Sequence, residues 1–457
     1  MDLFRKKQIN TQQSSHLSKT LKLKDLILLG IGAVIGTGIF VVPGQAAANL
    51  AGPGLTLSFV LAAFIVILTG FSFAEFASRI PVIGGAYSYM YVVFGEFIAW
   101  LTGWFLLCEY MLAVASVASG WSAYFQGFLS YLHLQLPQAL TAGLNLEKGT
   151  YFDLIAGLVV ILVVFWVLQE AKKALALNNF MVWIKFGIIA LFIVVGVFFV
   201  KPSNWQPYLP FGAEGVIDGA ALVFFAFLGF DAIAMAAEEV VEPQKTVPRG
   251  MIGAIAISTV LYIIVTAILT GLVPYTKLGV NDPVAFAMRF LHLDLVGSII
   301  SIGAILTLLT VTISMMYSLA RLVYAISKDG LLPISLNKVD TKTHTPVRAT
   351  LVSGAVVFVF ATMFPLQILA ELTNIVALGY LIMMALGIIR LRQVAGDPKP
   401  GEFKVPFVPI LPLITVGFCI FLMVQLSLTT WIVFFISLVI GLGIYFGYGY
   451  KHSTLNK

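Results

Sequence analysis

The stretch from Leu26 to Ala74 holds no Asp, Glu, Lys or Arg. It is long enough for two bilayer crossings of about 20 residues each, and turn formers divide it at Ala51-Gly52-Pro53-Gly54. The same alternation of apolar runs and short polar breaks predicts twelve spans, at 26–50, 55–79, 93–126, 152–170, 178–200, 216–239, 249–273, 286–327, 347–363, 366–391, 408–427 and 430–448. An even number of crossings puts both ends of the chain on one side. Residues 1–25 read as a basic tail, without the apolar core and small-residue cleavage site of a signal peptide, and 449–457 as a second tail. The spans divide into a first group of five over 26–200, a second over 216–391, and two more over 408–448.

Composition supports this reading. Of 457 residues, 11% are charged and 60% hydrophobic, with a mean hydropathy of +1.00. A soluble domain carries about 25% charged residues, so a soluble enzyme, a nucleic-acid binder and a disordered chain are excluded. The net charge of +6 is explained by its placement. The first tail and the loops on its side hold most of the basic residues, including Lys172, Lys173, Lys245 and Arg348, whereas the opposite loops hold only Lys148, Lys201, Lys277 and Arg289. That asymmetry predicts cytoplasmic termini. Cys108 and Cys419 both lie in apolar runs and read as packing residues.

Within the first span, Gly30, Gly32, Gly36 and Gly38 fall in nine residues, with Thr37 between the last two. Two readings remain open: a small-residue packing face, or an unwound segment whose N–H groups hold a carboxylate at the start of a half-helix. A dinucleotide fingerprint is excluded, because no βαβ unit follows and the next acid is Glu75. The sixth span offers a partner in Phe224-Phe225-Ala226-Phe227-Leu228-Gly229-Phe230-Asp231, with Gly229 lying 191 residues after Gly38. Interrupted helices at corresponding positions of two halves point to a transport site between inverted repeats.

Three charges do not fit a loop, tail or orientation role and fall on the third, fifth and sixth spans. Lys185 lies about 10 Å from the inner end of the fifth span at helical rise. It is either a snorkelling lysine or an amine that loads and releases a proton. Glu109 lies near the middle of the third span, where it receives a cationic group or serves a structural hydrogen bond. Asp231, on the sixth, must be buried or line a cavity. Glu75 and Arg79, four apart, read as an ion pair or gate latch, and Glu238, Glu239 and Glu242 as solvated or loop-pairing acids. No metal-ligand spacing and no phosphate-cradling loop occurs, so no cofactor is expected.

These motifs resemble the amino acid–polyamine–organocation superfamily, in its cationic amino acid transporter branch. The resemblance is carried by Gly30 through Phe40, Gly84-Gly-Ala-Tyr-Ser-Tyr89, Gly95 through Trp104 followed by Glu109-Tyr110, Phe224 through Pro248, and Arg321 through Gly330. It implies an all-α integral membrane protein of about twelve helices, a LeuT-like five-plus-five inverted repeat with interrupted first and sixth helices and two added C-terminal helices. It further implies that Ile35, Gly36, Thr37, Gly38 and Ile39 bind the substrate carboxylate through backbone N–H groups. Phe224, Phe225, Ala226 and Phe227 would receive the amino group and supply an aromatic lid. Lys185 matches a lysine that replaces a sodium ion in proton-coupled relatives, and Glu109 an acid of the cationic branch. On the eighth span, Ser314, Met315 and Ser318 are candidates for the side-chain pocket.

The expectation is therefore a secondary transporter of the bacterial plasma membrane, not an enzyme, that takes up cationic or small neutral L-amino acids, or both. It would be energised by the proton gradient and work by alternating access. Its expected partners are the amino acid, protons and the lipid bilayer, with no nucleic acid and with any small membrane partner unknown. An exchanger on the same scaffold and a non-transporting amino acid sensor are the alternatives.

Overall fold

The computed structural model describes residues 3–6, 21–80, 85–131, 133–169, 171–236, 240–340 and 345–456, with the side chains of 171–180 and 235 left aside. Glu238, Glu239 and Gly84 lie outside the described residues. Among those described the chain is helical, with two isolated β-bridges and no strand. The first crossing is split into α1 (Leu23–Val34), α2 (Thr37–Phe40) and α3 (Val42–Ala46). There follow α4 (Leu55–Arg79), a short α5 (Gly85–Val93), α6 (Glu96–Tyr131), α7 (Leu154–Gln169) and α8 (Ala171–Gly196).

The order then repeats. A split crossing, α9 (Gly212–Val223) and α10 (Ala232–Met235), precedes α11 (Pro243–Leu272). A short α12 (Pro283–Phe290) leads to α13 (Asp294–Lys328), α14 (Val347–Met363) and α15 (Leu366–Ala395), and α16 (Ile410–Val424) and α17 (Leu428–Ile444) close the chain. Eight helical stretches among the described residues are long and apolar enough to cross a bilayer, and α7, α14 and α16 are shorter apolar helices. With α1 as the N-terminal half of the first crossing, these amount to about twelve crossings.

Two expected boundaries need correction. The eighth span does not begin at 286: residues 283–290 form the separate helix α12, and the long helix starts at Asp294 after His292 at φ +60°. The seventh begins at Pro243 instead of 249, because Pro243 sits at the first helical turn, where a proline is tolerated.

The helices pack in two groups. One joins α1, α4, α9, α10 and α11, and the other joins α6, α7, α13 and α14. Each group takes helices from both halves of the chain. Helices α8 and α15 lie between them, α8 touching α1, α11 and α13, and α15 touching α4, α6 and α9. Both helix breaks belong to the first group, and the first faces the second group, since Gly36 looks onto Val311 of α13 and Thr37 onto Gly120 of α6.

Arg5 donates to Asn456 at 2.8 Å, so the two ends of the chain meet on one face.

Candidate functional site: two facing helix breaks

Helix α1 is capped at its start by Asp25, which accepts from the Lys22 N–H, and runs regularly to Val34. An unbroken helix would pair the Gly32 carbonyl with the Gly36 N–H and the Val34 carbonyl with that of Gly38. Side chains take both carbonyls instead. Lys185 Nζ donates to Gly32 O at 2.6 Å, and the Tyr262 hydroxyl lies 3.0 Å from Val34 O. The Gly36, Thr37 and Gly38 N–H groups thus head the second half-helix, at the positive end of its dipole. The Thr37 hydroxyl beside them is buried and has no partner among the described residues. Beyond it, the Tyr124 hydroxyl of α6 donates to Phe40 O at 2.6 Å.

The second break is built on the same principle. The Asn374 amide of α15 donates to Ala221 O at 2.8 Å and Leu222 O at 3.0 Å, capping α9. Residues Phe224–Phe227 then form a 3-10 turn, Gly229 takes φ +99° beside the Ala33 carbonyl, and the helix resumes at Ala232. The two breaks touch where a Cβ on Gly38 would run into the backbone of Ala226, which accounts for the glycine. Tyr262 also reaches Ala226 O at 2.7 Å. A hydroxyl has one hydrogen, so Tyr262 can serve only one of its two carbonyls at a time. Irregular backbone at this depth requires such partners from neighbouring helices.

The expected site residues fall as follows. Ile35 through Ile39 form the first break, and Phe224 through Phe227 the second. The Phe227 ring packs against Phe59 and Tyr262, with centroids 6.3 and 5.2 Å away. Lys185 is 1% exposed and has no carboxylate partner among the described residues. Glu109 is buried within reach of Asp231, takes a hydrogen bond from Tyr380 of α15, and its Oε2 has no partner among the described residues. Ser314, Met315 and Ser318 are half-buried on α13, and the Ser318 hydroxyl is turned back onto its own helix at Ser314 O, 3.1 Å. Val311, one turn outward from Met315, is the α13 residue beside Gly36. Tyr262, Asn374, Tyr124 and Val311 had not been singled out. The only signal for the first three is a hydrogen-bonding group inside an otherwise apolar run.

A cleft of about 710 Å³ approaches this region from the face where α6 ends, with Gln45, Ser119, Asp153, Asp282, Arg289 and Gln367 on its walls. Asp282 and Arg289 form an ion pair there. The opposite face is closed by two polar knots. Glu75 accepts from Arg392 at 2.7 Å, Val405 N at 2.8 Å and Arg79 at 3.2 Å. Glu96 accepts from Arg5 at 2.9 Å, Tyr445 at 3.1 Å and the Ser453 hydroxyl. The expected Glu75–Arg79 pair is thus one part of a larger node. Among the described residues no group of His, Cys, Asp and Glu is arranged to hold a metal ion.

Two broken helices facing each other inside about twelve apolar helices define a multi-pass membrane permease. Residues 21–445 match the amino acid permease family, and the chain belongs to it. It is 46% identical to a methylthioribose transporter of Bacillus subtilis and 44% identical to the branched-chain amino acid permease BcaP of the same organism. Both matches cover 100% of this chain and 99% of the relative. Cationic amino acid transporter 4 of Homo sapiens is 28% identical over 98% of this chain and 89% of its own. The chain is therefore a transporter of the amino acid permease family and not an enzyme.

Proposed function

We propose that this permease is a proton-coupled importer of neutral L-amino acids, built as a five-plus-five inverted repeat and working by alternating access across a bacterial plasma membrane with cytoplasmic termini. The observation that carries the reading is the pair of facing breaks. N–H groups at residues 36–38 suit a carboxylate, and the carbonyl at Ala226, shared through a single Tyr262 hydrogen, suits an ammonium. Of the two side-chain classes expected, neutral ones are better supported. Val311 faces the first break, and BcaP is a branched-chain permease. Lys185 supports the coupling role, because a change in its proton state alters the bond that caps α1 at Gly32.

The 46% identity to a methylthioribose transporter supports a second reading, a sugar thioether as substrate. Such a molecule offers hydroxyls but neither carboxylate nor ammonium, and so would leave the charge preference of the half-helix unused. Proteoliposome uptake of Leu, Val, Ala, Lys, Arg and methylthioribose, with and without an acid-outside gradient, decides between them. Gradient-driven accumulation of Leu or Val is expected. Methylthioribose uptake without amino acid uptake would replace the reading. Counterflow without net uptake would make the protein an exchanger, and binding without either would make it a sensor.

A further inference from the structure

Asn374 stands to the second break as Lys185 stands to the first. The two donors are 189 residues apart, and so are the carbonyls they cap, Gly32 and Ala221. Each donor lies on the last helix of its five-helix half, α8 or α15. Each acceptor lies two residues before the end of the helix it caps, Val34 or Val223. Asn374 is fully buried. Its orientation is set by the two carbonyl oxygens it faces, since a flipped amide would turn oxygen onto oxygen. Its own Oδ1 has no partner among the described residues.

We propose that Asn374 is a positioning residue for substrate binding: its two amide hydrogens hold the end of α9 so that the 3-10 turn at Phe224–Phe227 keeps its carbonyls directed at the amino group of the substrate. The proposal rests on the transport reading above. It also gives the two breaks different characters. The first is capped by an amine that can change its proton state, the second by an amide that cannot, so proton control acts on the carboxylate end of the site and the amine end stays fixed.

The test is uptake kinetics in proteoliposomes for Asn374→Leu and Asn374→Asp, which are similar in size, together with thermal midpoints of the purified proteins. Asn374→Leu removes both donors, whereas Asn374→Asp turns acceptors toward the two carbonyls. The expected result is a KM for the transported amino acid raised about tenfold in the first and further in the second, with kcat nearly unchanged, as for loss of ground-state binding. Asn374→Ser, with one donor, should fall between wild type and Asn374→Leu, and it carries the test if the larger changes do not fold. Wild-type KM in folded Asn374→Leu, or losses that follow the thermal midpoint alone, would overturn the proposal. Wild-type uptake in the same vesicles tests the transport reading separately.

Discussion

At the scale of single residues, the site depends on polar side chains that replace lost helix bonds. Lys185 is the clearest case. A buried amine donating to one carbonyl offers a two-state contact, and Lys185→Met keeps the volume while removing the donor. Folded Lys185→Met should retain exchange of substrate across the membrane but lose accumulation under an acid-outside gradient, and gradient-driven accumulation in that variant would remove Lys185 from coupling. Tyr262 supports a second prediction. Tyr262→Phe keeps the ring against Phe59 and Phe227 but leaves the Val34 and Ala226 carbonyls without its hydrogen. Leaving a buried acceptor unpaired costs about 1–3 kcal/mol, so the purified, substrate-free variant should have a lower thermal midpoint than wild type. Glu109 tests the side-chain preference. Glu109→Gln should leave the Leu to Lys uptake ratio within about twofold of wild type; a collapse of Lys uptake alone would return the acid to the selectivity pocket.

At the scale of elements, the sequence is most legible where the bilayer removes competing choices. A crossing must satisfy its own backbone, so apolar run length located the helices, and glycine density marked the break at residues 35–38. The separate helix α12 was not legible, because the apolar residues of 284–293 continue into the next crossing and only the chain reversal at His292 divides them. Tyr262 and Asn374 were hidden for another reason. Each looks like one tolerated polar residue, and its partner is a backbone carbonyl orphaned on a distant helix. Asp153, directly before α7 on the wall of the cleft, shows how an element end carries pH dependence. It caps the helix through Ala156 N at 2.9 Å and accepts from Ser122 at 2.6 Å. Burial pushes its carboxyl from the usual 3.8 up to about 7. The folded state therefore holds the proton more tightly than the unfolded one, and the stability it contributes is present below about pH 4 and lost as pH rises toward 7. Asp153→Asn, which keeps a capping oxygen, should raise the thermal midpoint at pH 8 and flatten its decline between pH 5 and 8.

At the scale of the whole molecule, the cleft opens on one face and, among the described residues, the two knots seal the other, while the break residues between them are buried. Both knots cross between structural units. Glu75 of α4 belongs to the group that carries the breaks and is held by Arg392 of α15, whereas Glu96 of α6 belongs to the other group and is held by Arg5, which precedes α1 in the chain. On the alternating-access reading, exposure of the site to the sealed face separates these units and opens both knots. Neither can be weakened without shifting that balance, because removing one partner strands a buried charge at a cost of about 3–5 kcal/mol. Arg5→Ala and Glu75→Gln should each populate the form open to the sealed face. The check is hydrogen exchange along residues 23–34, the N-terminal half of the first crossing, which should accelerate in both variants while the second half, residues 37–46, stays protected. Because ligand arriving from the cleft meets fewer competent molecules, its apparent affinity from that side should fall in proportion to the population lost. Faster exchange along both halves would indicate general destabilisation, and unchanged exchange with normal affinity would mean that the knots hold the ends of the chain but do not gate the site.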